Sequence, residues 1–75
     1  MLLNTLMTEL QSIADTNCPD NTGVYIIDVN DQTTWGFNPS DTATQQQIDT
    51  TNAAIQALSL TPYADEIAAY NAMNS

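Results

Sequence analysis

The side chains of this sequence that can take part in chemistry are nine carboxylates, the thiol of Cys18, three tyrosines and a set of Ser and Thr hydroxyls. Lys, Arg and His are all absent, so the formal net charge over the 75 residues is -9 at pH 7. Without imidazole or amine there is no His-activated Ser or Cys nucleophile, no Schiff-base lysine and no phosphate-loop lysine. The same absence removes the phosphate neutralisation on which nucleic-acid affinity rests, and the basic patches that draw a chain to anionic lipid. Neither nucleic acid nor membrane is therefore an expected partner, and no cofactor is expected.

Carboxylates remain, and their close pairs are Asp28 with Asp31 and Asp65 with Glu66. Two carboxylates run acid and base chemistry when their surroundings push their pKa values apart. Asp65 and Glu66 fall in the opening turns of a predicted helix, where negative charge complements the helix macrodipole, so their expected role is structural. Asp28, Asn30 and Gln32 alternate as ligands do at the start of a calcium loop. That loop needs Gly at its sixth position and Glu at its twelfth, and here those are Thr33 and Pro39. The expectation is instead an Asn-Asp turn whose side chains bond their own backbone. Cys18 has no cation or base in the chain to lower its pKa and reads as a buried, reduced thiol. The expectation is a protein that is not an enzyme.

The elements that must position these groups follow from periodicity. Leu2, Leu3, Leu6, Met7, Leu10, Ile13 and Ala14 recur at three and four, one apolar stripe on a helix from about residue 2 to 16. Pro19, Asp20, Asn21 and Gly23 then favour a loop. Residues 24–29, β-branched and aromatic, predict a strand with Tyr25, Ile27 and Val29 on one face and Val24 and Ile26 on the other. Asn30, Asp31 and Gln32 read as a short hairpin connection, and residues 33–37 as the return strand. Thr44 followed by Gln47 matches a capping box, so a second helix starts there, with Ile48, Thr51, Asn52, Ile55 and Leu58 as its buried line. Gln45, Gln46 and Gln47 are read as that helix start and nothing more. Thr61 followed by Pro62 predicts an N-cap and first helical position for a third helix over residues 62–73, striped by Tyr63, Ile67, Tyr70 and Met73. The predicted class is α+β, one small domain over residues 1–75, in the order helix, two-stranded β-hairpin, helix, helix.

Two strands alone make a marginal sheet with unpaired edges, so a covering partner is expected. Leu3 and Met7 of the first helix, Val24 and Ile26 of the first strand, and Trp35 and Phe37 of the second are the candidate interface residues. For Trp35 and Phe37 the competing expectation is that they fill the core. The first residues lack the basic n-region and apolar h-region of a signal peptide, and nothing approaches the roughly 20 apolar residues that span a bilayer. The expected site of synthesis is the cytoplasm, without export by a signal peptide.

Thr33, Thr34, Trp35, Gly36 and Phe37, then Ala43, Thr44, Gln45, Gln46, Gln47 and Ile48, then Asn52, Ala53, Ala54, Ile55, Gln56 and Ala57 carry a further signal. This Trp-bearing strand followed by a Thr-Gln helix start and alanines resembles short accessory structural proteins of tailed bacteriophages, over about residues 28–58. The chain departs from that pattern in lacking the Lys, Arg and Glu usual in the helix, and its first and third helices lie outside the match. The resemblance implies a non-enzymatic virion component, docked on a major capsid or tail protein and on copies of itself. It would be a capsid decoration (cement) protein, or alternatively a tail-associated one. From a different class, the acidity also fits a free inhibitor of a basic host protein. Its carboxylates, at positions 9, 15, 20, 28, 31, 41, 49, 65 and 66, are scattered instead of forming the dense runs that would imitate a phosphate backbone.

Overall fold

The computed structural model describes residues 3–74. The order is α1 (Asn4–Asn17), β1 (Asn21–Tyr25), a 3-10 turn (Gln32–Thr34), β2 (Gly36–Pro39), α2 (Gln45–Ala57), a second 3-10 turn (Thr61–Tyr63) and α3 (Ala64–Met73). This is the α+β order that the sequence predicts, with β1 and β2 as an antiparallel pair. Leu2, part of the predicted stripe, lies outside the described residues.

The apolar stripe of α1 builds the centre of the molecule. Leu3, Leu6, Leu10 and Ala14 join Cys18, Val29, Trp35, Phe37 and Ile55 in one buried cluster, to which α2 contributes Ile55 and the fully buried Thr51. A hydroxyl in such a place costs stability unless it is bonded, and Thr51 Oγ1 donates to Gln47 O at 2.8 Å, one turn back. The capping box of α2 forms as predicted: Gln47 N donates to Thr44 Oγ1 at 3.1 Å, and Thr44 N to Gln47 Oε1 at 3.0 Å. Of the predicted buried line, Thr51 and Ile55 are fully buried, Ile48 and Leu58 are half-buried and Asn52 is exposed.

The hairpin differs from its predicted bounds in a consistent direction. Both strands lie farther from the turn than residues 24–29 and 33–37, and the connection is the whole of residues 26–35. Local polar groups take that segment out of the ladder. Asn30 N donates to Asp28 Oδ1 at 2.9 Å, Thr33 N to Asp31 Oδ1 at 3.1 Å, and Asp28 N to Thr34 Oγ1 at 2.9 Å. Such side-chain bonds offer the backbone an alternative to strand pairing. The expected Asn-Asp turn thus forms, but within a longer loop. Tyr25, Ile27 and Val29 consequently share no face: Val29 enters the core, whereas Ile27 is 78% exposed and Tyr25 39%.

At the other end, residues that composition assigns to a loop pair as strand. Asn21 opposes Pro39 and Val24 opposes Phe37, so the register slips by one residue in a bulge between them. Gly23 sits in that bulge with φ +132°, a value that L side chains rarely adopt. Tyr25 opposes Gly36, and its ring lies over that glycine closely enough that a Cβ there would come within 2.5 Å of the hydroxyl oxygen. The missing side chain of one strand is thus the seat for the aromatic ring of the other.

The third helix also starts differently. Thr61 makes no side-chain cap; it is the first residue of a 3-10 turn whose second is Pro62 and whose N-cap position is Leu60, and α-helical geometry begins only at Ala64. Tyr63, Ile67 and Tyr70 pack half-buried on the core, Met73 is 73% exposed, and α3 buries no residue fully.

The Tyr25 and Gly36 pairing generates the first prediction. Gly36→Ala is expected to cost about 1–3 kcal/mol through overpacking. Much of that loss should disappear in a Tyr25→Ala background, which vacates the space. A chemical-denaturation double-mutant cycle measures it; additive losses would mean that the ring does not set the limit at Gly36.

Candidate functional site

The predicted interface residues divide by burial. Leu3, Trp35 and Phe37 are 2%, 4% and 5% exposed, so they are core and offer no surface to a partner, a correction to the interface expectation. Trp35 is fixed further by its indole Nε1, which donates to Asp28 O at 2.8 Å. Met7, Val24 and Ile26 are half-buried against the same core. The apolar side chains that do face solvent near the sheet are Tyr25 and Ile27, at the end of β1 and just beyond it. Periodicity pointed away from Ile27, because strand alternation carried past Tyr25 places it with the buried Val29.

The acidic residues are placed by hydrogen bonds. Glu66, expected to serve its own helix, reaches across to α1. Its carboxylate accepts Leu6 N at 2.8 Å and Thr5 N at 3.3 Å, satisfying amides that the start of α1 leaves open, since Leu3 at the N-cap position has no side-chain cap to give. Five residues on, the amides of Asn30 and Asn71 bond reciprocally at 3.1 and 2.8 Å. These contacts, with the half-buried Tyr63, Ile67 and Tyr70, hold α3 from the start of α1 to the loop after β1. A second remote cap closes α2: Gln32 Nε2 donates to Ile55 O at 2.8 Å and to Leu58 O at 3.1 Å, while Gln56 Nε2 donates to Gln32 O at 2.8 Å.

Asp15 belongs to a third cluster, where the end of α1 meets β1. Asn21 Nδ2 donates to Asp15 Oδ1 at 3.1 Å and to Cys18 O at 2.8 Å, and Gln11 Nε2 donates to Asp15 Oδ1 at 2.9 Å and to Asn21 Oδ1 at 3.0 Å. The bonds from Asn21, and then from Gln11, hold the Asp15 carboxyl below its usual 3.8. Cys18 is fully buried, and its Sγ donates to Asp20 O at 3.6 Å, in keeping with a structural thiol.

A shallow, open groove of about 310 Å³ lies along the first turns of α1, lined by Asn4, Thr5, Thr8, Glu9 and Tyr63. Burial, followed by the nearby charges of Glu9 and Glu66, raises the Tyr63 phenol above its ordinary 10.0. Among the described residues no three of Cys, Asp and Glu gather as a metal would require, and no helix is long and apolar enough to cross a membrane. The carboxylate pairs of the sequence separate into structural duties: Asp28 and Asp31 bind their own turn, and Glu66 leaves Asp65 to cap another helix. No family model, no curated protein and no solved structure matches this chain.

Two predictions follow from the polar clusters. Glu66→Ala is expected to lower stability by about 1 kcal/mol, the usual worth of a cap, and to speed hydrogen exchange at the Thr5 and Leu6 amides more than elsewhere in α1. Uniform acceleration along the chain would show that the carboxylate has no local role. For Asp15 the folded pKa is depressed, so its stabilising contribution is present above the unfolded value near 3.8 and is lost as pH falls through the lower folded value. Asp15→Asn should therefore flatten the acid limb of stability below about pH 4, read as thermal midpoints from pH 2 to 7.

Proposed function

We propose that the protein is a non-enzymatic structural component of a tailed-phage virion, docking on a larger assembly as a capsid decoration (cement) protein. The observation that carries this reading is the exposed end of the sheet. Among the described residues β1 and β2 each have a single strand neighbour; Ile27 stands in solvent beside them, and Tyr25, seated over Gly36, is 39% exposed. A two-stranded sheet is marginal in water, and such edges are satisfied by strands of other proteins.

Charge favours a neutral or basic partner surface over a further copy of the chain. A second copy would bring another nine negative charges to the contact, whereas a neutral or basic capsid surface meets no such repulsion. The resemblance over residues 28–58 supports the phage setting. Carboxylates engaged in capping and turn bonds, and a groove without a gathered acid-base pair, favour docking over catalysis. The scattered carboxylates favour docking over nucleic-acid mimicry.

The test is imaging of particles with and without the gold-labelled protein. Label in a symmetric array on the shell is the expected result. Label confined to the tail would replace decoration by the tail-associated reading, and no label on particles would remove the virion reading in favour of a free acidic binder.

A further inference from the structure

We propose that α3, with the 3-10 turn that leads into it, is a latch that opens as one unit while the rest of the fold stays closed. Among the described residues the buried cluster runs in sequence from Leu3 to Ile55, and nothing from α3 belongs to it. The centre is therefore complete without this helix. So is α2, whose last carbonyls are closed from the loop by Gln32, through its bonds to Ile55 O and Leu58 O. Leu58 and Leu60 pack half-buried on the core, and the backbone of residues 58–60, between α2 and the turn, is irregular, with Ser59 exposed. Those three residues are the hinge.

Two polar catches close the latch, one toward each end of α3. Glu66 accepts the Leu6 and Thr5 amides of α1, and Asn71 exchanges two amide bonds with Asn30. Of these bonds the one to Leu6 N is partly buried and the others are exposed, so water replaces a lost partner and each adds little. Between the catches Tyr63, Ile67 and Tyr70 recur at four and three, one stripe whose members are each only half-buried. Elements with few buried apolar contacts and exposed hydrogen bonds open first, at a free energy below that of the whole fold. Opening frees the amides at the start of α1 and uncovers the Tyr63, Ile67 and Tyr70 stripe, a surface that the closed form withholds. The latch does not depend on the virion reading above.

Native-state hydrogen exchange of the full chain, followed by NMR as urea is raised below the unfolding transition, tests the latch. The amides of residues 68–73 are expected to exchange through one shared opening that the Leu6 amide joins, with protection about tenfold or more below that of Leu10, Ala14 and Ile55. Asn71→Ala gives the sharper test, because Asn71 bonds to Asn30, far along α3 from the Leu6 amide. It should still weaken protection at Leu6 about threefold, the scale of one exposed hydrogen bond, and leave Ile55 unchanged, which also shows that the centre of the variant remains folded. Protection of α3 equal to that of Ile55 would make the helix part of one cooperative fold. A gradient falling toward residue 73, with Leu6 as protected as Leu10, would reduce the opening to fraying of the chain end. Either result overturns the latch, as does an Asn71→Ala response that stays within the last turn of α3 or that reaches Ile55.

Discussion

A chain whose only side-chain charges are negative has to settle its electrostatics without ion pairs, and much of this structure is organised by that constraint. Carboxylates repel one another, and the groups available to quiet them are backbone amides, side-chain amides and hydroxyls. Glu66 settles on the open amides of α1, Asp15 on Asn21 and Gln11, Asp28 and Asp31 on their own turn, and Asp49 on Gln45 one helical turn away. Each of these acids thereby becomes a fastener. The abundance of Asn and Gln is the other half of the same arrangement, because an amide donates to a carboxylate without adding charge.

The fasteners sit where packing is thinnest. The α1 stripe, Ile55, Trp35 and Phe37 form a dense but small centre, and a domain of this length buries only about 60% of what its unfolded chain exposes. The third helix adds no fully buried residue, so its hold depends on Glu66, the Asn30–Asn71 pair and three half-buried side chains. The loop after β1 is secured in the same way, by its own Asx turns and by the Trp35 indole on Asp28 O. Loss of one polar partner therefore releases a segment before it dissolves the centre.

Two features stand out on the surface. The Tyr25 and Ile27 end of the sheet offers apolar contact beside strands that, among the described residues, have one strand neighbour each; the open groove lined by Glu9 and Tyr63 lies at the start of α1.

The sequence by itself determined what depends on local pattern: the α1 stripe, the Thr44 capping box, the order of elements, and the absence of any Lys, Arg or His side chain. These are legible because helical spacing and cap bonds act within a few residues. The hairpin was legible in kind but not in place, since Asp28, Asp31 and Thr34 compete for the same backbone and their bonds outweigh the β propensity of residues 26–29. Ile27 was therefore hidden from sequence reasoning, and so was Tyr25 as the cover of Gly36. Only the tertiary structure decided that Glu66 caps a helix 60 positions away, that Asn30 meets Asn71, and that Gln32 closes α2. It also decided that Leu3, Trp35 and Phe37 are interior, and that Glu9 and Tyr63 share a groove. The physical reason is common to all of them: a hydrogen-bond or packing partner is chosen by proximity in the folded chain, and no periodicity encodes proximity between residues so far apart.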